Sequence, residues 1–228
     1  MNRLEELVER YPALSACRAE IEAAIRALSE CYAAGGKLLV CGNGGSAADA
    51  DHIVGELMKG YLKPRQLSKD LRARLRAADP ALGPALAECL QGALPAISLT
   101  TGAALLSAFG NDVRPDLAYA QAAFGYGRKG DVLLGISTSG KASNVRSALV
   151  VGRALGITTI GLTGRGGGTT SASGGISASG GTSASGGTMA GLCDILIAVP
   201  ATRTFEVQEL HLPVYHCLCA AVEELLFP

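Results

Sequence analysis

Residues 37–57, KLLVCGNGGSAADADHIVGEL, decide the fold that this chain is expected to adopt. The apolar run at 38–41 predicts a buried strand, and the glycine turn at 42–45 leads into a helical pattern that continues to about residue 60. We expect Ser46 to be the N-cap of this helix. A strand, a glycine turn and a helix N-terminus can bind an anion, because free main-chain N–H groups and the helix dipole point at it.

The predicted helix carries two side chains that could take part in catalysis or bind a metal ion, His52 and Glu56. Their i, i+4 spacing places an imidazole and a carboxylate on one helical face. The same pair is common as a surface ion pair, and the glycine turn matches neither the Walker A loop nor the dinucleotide pattern. A functional interpretation therefore needs further elements.

The second element is the segment 135–140, GISTSG. A buried strand is expected to end at Ile136, and Ser137, Thr138 and Ser139 then lead into a helix. Hydroxyls and free N–H groups at a helix start make a compact phosphate site. Ligands of open α/β sheets bind at the carboxyl ends of strands, where both this loop and the glycine turn are expected.

The third element is the last helix, which reads EVQELHLPVYHCLC from residue 206. Gln208 and His216 are separated by about 80° around the helix and ~12 Å along it. His211 and His216 are about 140° apart, so one of them faces away. We expect His211 to be the histidine in the helix core.

Composition limits the classes of function. The 228 residues are 48% hydrophobic and 18% charged, with 20 basic and 20 acidic side chains, which gives no indication of nucleic-acid or membrane-surface binding. The first residues are charged and helical, and no apolar run approaches the length of a membrane span. Seven cysteines without CxxC spacing are typical of buried, reduced thiols, so we expect a cytoplasmic protein.

Strand patterns alternate with helical ones, which predicts an α/β fold: a doubly wound parallel sheet flanked by helices in one domain, 1–228. The predicted strands are 37–41, 96–99, 131–137, 157–162 and 194–199. The predicted helices are two within 2–34 broken near Pro12, then 46–60, one or two in a helical insertion at 62–94, 103–109 capped by Thr100-Thr101, 116–126, 142–155 and 206–226.

Residues 169–188 contain the repeats TSASGG, ISASGG and TSASGG. This low-complexity composition offers no apolar surface for packing. We expect a loop insertion without a chemical role, and the alternative is a lid or linker.

Four motifs in order, GNGGSAADADHIVGEL, FGNDV, GDVLLGISTSG and VQELHLPVYHCLC, resemble the sedoheptulose-7-phosphate isomerases (phosphoheptose isomerases) of the sugar isomerase (SIS) fold. The resemblance covers nearly the whole chain apart from 62–94 and the repeats. It implies a single flavodoxin-like SIS domain and an aldose–ketose isomerase acting on a phosphosugar through an enediol. It also implies a cytoplasmic homotetramer with active sites at subunit interfaces, in which residues 1–34 take part in oligomer packing, and often zinc.

The resemblance assigns roles at matching positions, with one divalent ion, zinc, per subunit. The residues implied to bind substrate are Asn43, Gly44, Gly45, Glu56, Asn111, Asp112 and Gln208, together with Ser137, Thr138 and Ser139, which bind its phosphate. The implied metal ligands are His52, Glu56, Gln208 and His216. Glu56 is also implied to be the proton-transferring base, and His216 the general acid.

The chain departs from the family pattern at two places: Lys141-Ala142 stand where Asn-Ser is usual, and Glu206-Val207 where Arg-Ile is usual. One phosphate hydroxyl is lost and a cation is gained. These departures leave the exact sugar open, so an isomerase of another phosphosugar is one alternative. A non-catalytic relative of the type that binds the replication initiator is another, and a sugar-sensing regulatory domain is the third, although no DNA-binding segment accompanies this one.

Overall fold

The structure is a computed structural model and describes residues 2–165 and 187–227. Five strands and nine α-helices alternate along these residues. They are α1 (Arg3–Arg10), α2 (Arg18–Ala33), β1 (Leu38–Cys41), α3 (Gly45–Met58), α4 (Lys69–Ala78), α5 (Gly83–Cys89), β2 (Ala96–Ser98), α6 (Ala103–Asp112), α7 (Ala118–Tyr126), β3 (Val132–Ile136), α8 (Ser143–Ala154), β4 (Thr158–Gly164), β5 (Ile195–Val199) and α9 (Thr204–Leu226), with 3-10 helices at Pro12–Cys17, Pro115–Leu117 and Gly187–Leu192.

The five strands form one parallel sheet in the order β2-β1-β3-β4-β5. The prediction of a doubly wound parallel sheet is confirmed. The chain moves outward from β1 to β2 and then returns to the other side of β1 for β3, so the topological switch point lies between β1 and β3. Ligands of this strand order bind in the crevice at such a point.

The two faces of the sheet are covered by different helices, as the alternation within β1 illustrates. Leu38 and Val40 pack with α1, α2, α3 and α9 on one face. Leu39 and Cys41 pack with α7 and α8 on the other. A Cβ at Gly135 would lie 2.9 Å from the Val145 side chain, so a glycine in β3 allows α8 to approach closely. Both faces are therefore buried, which explains the continuous apolar strand runs.

Helix boundaries differ from the predictions where glycine begins a helix. Ser46 is not the N-cap of α3, because the cap is Gly44, whose φ of 56° only glycine adopts without strain. Ser46 instead lies in the first turn and is buried. The expected Thr100-Thr101 cap of α6 is also wrong, because Gly102 holds the cap position and the Thr101 hydroxyl donates to the Ser98 carbonyl at 3.1 Å.

The segment 62–94 contains two helices, α4 and α5, where one or two were expected. Its ends meet where the Gly92 N–H donates to the Arg65 carbonyl at 2.6 Å and Gln66 pairs with Gln91. The predicted loop insertion at 169–188 lies outside the described residues except for residues 187 and 188. None of the described helices is long and apolar enough to cross a membrane.

Candidate active site

The two predicted ligand loops meet at the switch point. Asn43 follows β1, and Asn144 lies in the first turn of α8, after β3. Their side-chain amides form two reciprocal hydrogen bonds, Nδ2 of Asn43 to Oδ1 of Asn144 at 2.9 Å and the reverse at 2.8 Å. The amide pair therefore fixes the distance between the glycine turn and the Ser/Thr loop.

Two side chains of this region were missed by sequence reasoning, Asn144 and Tyr119. The Tyr119 hydroxyl donates to the Gly42 carbonyl at 2.8 Å and lies 3.4 Å from Oδ1 of Asn43. It reaches the turn from α7, which lies on the other side of the sheet. No local pattern predicts either contact, since the partners are 101 and 77 residues away.

The Ser/Thr loop is held by its carbonyl groups. The Gly164 N–H donates to the Thr138 carbonyl, and the Met189 N–H to the Gly140 carbonyl, both at 3.1 Å. Among residues 2–165 and 187–227, the N–H groups of Thr138 and Ser139 donate to no protein acceptor. These N–H groups ahead of α8 are available as donors to an anion.

The structure brings together three of the four side chains that were predicted to bind metal, two of which were also predicted to be catalytic. Nε2 of His52 lies 3.3 Å from Oε1 of Glu56 and 3.4 Å from Nε2 of His216. The first two side chains come from α3 and the third from α9. The His52 and Glu56 side chains are 41% and 16% exposed, so the cluster opens to solvent on the imidazole side.

A buried tyrosine behind the cluster orients His52. The Tyr215 hydroxyl lies 3.0 Å from Nδ1 of His52 and 3.3 Å from Oδ1 of Asp49. Because Nδ1 is engaged by the tyrosine, Nε2 is the nitrogen that faces Glu56 and His216. Burial raises the pKa of Asp49, although the Tyr215 hydrogen bond opposes this effect.

Charge around the cluster favours a neutral imidazole at His216. Burial lowers the pKa of His216, the neighbouring His52 and Arg10 lower it further, and Glu56 opposes these effects. Lys59 lies at the end of α3, with Nζ 3.2 Å from Oε2 of Glu56. A neutral imidazole can bind a metal or exchange a proton with a substrate oxygen.

The remaining predicted residues lie elsewhere along the site. Gln208 is placed at the start of α9, and its amide group lies so close to Gly45 that a Cβ there would overlap it. Gly45 precedes His52 by seven residues, or about 10 Å of helix, so Gln208 accompanies the glycine turn. Asn111 donates to Asp112 at 2.9 Å at the exposed end of α6. His211 is fully buried and contributes nothing to the cluster.

The distances between the side chains of the cluster can be compared with those between the ligands of a zinc ion. Two ligands held about 2.0–2.1 Å from a tetrahedral zinc are about 3.3–3.4 Å apart, and both separations at Nε2 of His52 have this value. Two imidazoles and a carboxylate are also suitable zinc donors. Nevertheless, within the described part of the chain no group of three or more His, Cys, Asp or Glu side chains forms a preformed metal site.

Comparison with known proteins agrees with this arrangement. The sequence profile of the SIS domain matches residues 3–71 and 77–164. The chain belongs to the SIS-domain family. Within this family it is 36% identical over 213 residues to a phosphoheptose isomerase of Rhodospirillum rubrum, an alignment that covers 93% of this chain and 89% of the relative.

Solved SIS-domain structures have the same architecture. A phosphoheptose isomerase from Francisella tularensis superposes with a TM-score of 0.70 at 27% identity. One from Neisseria gonorrhoeae gives a TM-score of 0.67 at 29% identity. In both cases the match covers 96% of this chain and 94% of the other. The similarity therefore extends over nearly the whole chain.

Proposed function

We propose that this SIS-domain protein is an aldose–ketose isomerase that converts sedoheptulose 7-phosphate into a heptose 7-phosphate. The observation that carries the proposal is the cluster of His52, Glu56 and His216 beside an anion-binding loop in a chain related to phosphoheptose isomerases. A carboxylate, an imidazole and a phosphate site are the groups that such an isomerisation requires.

In the proposed reaction, Glu56 removes the proton from C1 of the ketose, and the electron pair of the C–H bond forms the C1–C2 double bond of an enediol. His216 donates a proton to the C2 oxygen. Return of a proton to C2, with loss of the proton on the C1 oxygen, gives the aldose. Only protons move, so substrate and product are isomers and no redox partner is needed.

The loop at 137–139 anchors the phosphate through its hydroxyls and through the free N–H groups of Thr138 and Ser139. Asn43, with the glycines that follow it, lines the adjoining part of the site, and Asn144 keeps this turn in register with the loop. Fixing the phosphate away from the reacting carbons lowers the entropic cost of positioning them over Glu56.

We also propose that one divalent ion, zinc, is bound per subunit. His52, Glu56 and His216 would hold it, and the predicted fourth ligand Gln208 would have to extend toward them from the glycine turn. When bound, such an ion stabilises negative charge on the enediolate oxygens. Asn111 and Asp112 as substrate contacts, a homotetramer packed through residues 1–34 and a cytoplasmic location stay predictions.

The test is a panel of ketose phosphates assayed for aldose formation with and without chelator. Wild type should convert the seven-carbon substrate best, and Glu56→Gln should lose about 10²–10⁴-fold in rate while still binding the phosphosugar. Glu209→Gln is a matched control, because Glu209 is exposed on α9 outside the cluster. A Glu56→Gln rate within a few-fold of wild type would exclude Glu56 as the base, and a preference for another sugar would favour the alternative isomerase.

A further inference from the structure

One fully buried ion pair lies next to the proposed base and takes no part in the reaction described above. Nε of Arg65 lies 2.7 Å from Oε1 of Glu223, and both side chains are 0% exposed. Burying two charges is costly, and apolar residues of similar size often replace such a pair without loss of stability. Stability alone is therefore a weak reason for placing this pair here.

Glu223 organises the segment that follows α3. Its carboxylate accepts hydrogen bonds from the N–H groups of Tyr61 at 2.8 Å, Leu62 at 2.7 Å and Lys63 at 3.1 Å. The ring of Tyr61 in turn lies 5.8 Å from the ring of His216. His216 and Glu223 are two helical turns apart on one face of α9, so the carboxylate and the imidazole face the same neighbour.

Arg65 binds the end of α3 itself. Its Nη1 donates to the Leu57 carbonyl at 2.6 Å and its Nη2 to the Glu56 carbonyl at 3.2 Å. Carbonyls in the last turn of a helix lack partners within the helix, and a cation there is also favoured by the helix dipole. The guanidinium lies 5.0 Å from the centre of the Phe227 ring, which fixes its plane.

The pair thus joins the main chain of the proposed base on α3 to the helix that carries His216. The same arginine accepts the Gly92 N–H that closes the insertion 62–94 at 2.6 Å. Removal of Arg65 would release the last turn of α3 from α9, whereas an exposed ion pair within the insertion makes no such connection.

We propose that Arg65 and Glu223 are positioning residues for catalysis. They keep the Glu56 carboxylate next to the His216 imidazole, and they do not contact the substrate. This inference rests on the proposed isomerase function. A lysine at 65 keeps the charge but cannot supply the planar set of donors that reaches Glu223, Leu57 and Glu56 together.

The test is steady-state kinetics of Arg65→Lys with the best ketose phosphate of the panel. Misplacement of a reacting group by about 1 Å costs up to about 10²-fold, so kcat should fall about 10- to 100-fold. KM should stay within about threefold, because the phosphate loop and glycine turn are not altered. The control is Arg76→Lys, whose guanidinium pairs with the exposed Glu88 in the same insertion and which should leave kcat and KM unchanged.

A merely structural role would lower the melting temperature of Arg65→Lys and leave kcat of the folded enzyme unchanged, and that result would overturn the inference. If Arg65→Lys does not fold, Phe227→Leu serves instead, since it removes the ring under the guanidinium and keeps the ion pair. A kcat reduced about threefold or more at constant KM supports positioning, and an unchanged kcat overturns it. Absence of isomerisation by wild type would refute the proposed function itself.

Discussion

The buried histidine of α9 makes stability depend on pH in a way that can be measured. His211 is 0% exposed, and neither ring nitrogen has a hydrogen-bond partner among the described residues. Burial lowers the pKa of His211 to about 4, and the nearby backbone of Thr163 only partly opposes the effect. The imidazole is therefore neutral in the folded protein at any pH near neutrality.

The magnitude follows from the difference between folded and unfolded chains. An exposed histidine has a pKa of about 6.5, so below that pH the unfolded chain binds a proton that the folded chain does not. Above about pH 6.5 neither state is protonated, and the histidine has no pH-dependent cost. As the pH falls toward the folded-state value, the free energy of unfolding drops by about 2 kcal/mol at about pH 5 and about 3 kcal/mol at about pH 4.

The assay is urea denaturation of wild type and His211→Leu at about pH 8 and about pH 5. Leucine removes the ionisable group without breaking a hydrogen bond, so His211→Leu should be at least as stable as wild type at the higher pH. Subtracting the two pH differences cancels other groups that titrate in both proteins. His211→Leu should lose about 2 kcal/mol less than wild type on acidification. The same loss in both proteins would refute the buried, neutral state of His211.

Three further predictions concern the site and the repeats. Elemental analysis of protein purified without chelator should find about one divalent ion per chain, lost in His52→Ala and in His216→Ala but retained in His211→Ala, and loss in His211→Ala alone would mean that the wrong histidine has been chosen. Asn144→Ala should raise KM about tenfold through displacement of the glycine turn, and an unchanged KM would contradict that role. The control is Ser147→Ala, since among the described residues the hydroxyl of Ser147 bonds only the Ser143 carbonyl within α8. Deleting the three Ser/Gly repeats within 169–188 should change melting temperature and kcat little, since loop closure costs only about 0.6 kcal/mol per doubling of length, whereas a large loss of activity in the folded deletion variant would indicate a lid.

The sequence predicted the sheet well because its strands are buried on both faces. The runs at 38–41 and 132–136 are apolar at almost every position, which is the pattern of parallel strands buried on both faces. Knowing where these strands end was enough to predict that the glycine turn and the Ser/Thr loop share one edge. The structure places both loops there and joins them through Asn43 and Asn144.

Local capping rules failed because glycine changes the backbone available at a helix start. A hydroxyl at 46 and a pair of threonines at 100–101 satisfy the usual cap preference, yet Gly44 and Gly102 hold the cap positions. The N-cap lies two residues earlier than predicted, so Ser46 is in the first turn of α3 and is buried. The hydroxyl at 46 is thereby lost as a cap.

Long-range polar contacts could not be predicted from spacing. Tyr215 reaches His52 across 163 residues, and Glu223 reaches Arg65 across 158. In the sequence, Arg65 is one of many basic residues near the start of the insertion, and Glu223 is an ordinary acidic residue of an amphipathic helix. Only the packing of α3 against α9 distinguishes these residues from their neighbours, because it excludes water from both.

The way α3 and α9 pack also accounts for the separation of the predicted ligands. The two helices run side by side in the same direction: Gly45 meets Gln208, and His52 meets His216 two turns later. Seven residues on α3 and eight on α9 are nearly matched rises of about 10–12 Å, so the amide cannot share the position of the second imidazole without extending. The glycine turn and the proton-transfer cluster therefore lie about 10 Å apart along α3, and a substrate that contacts both has to span this distance.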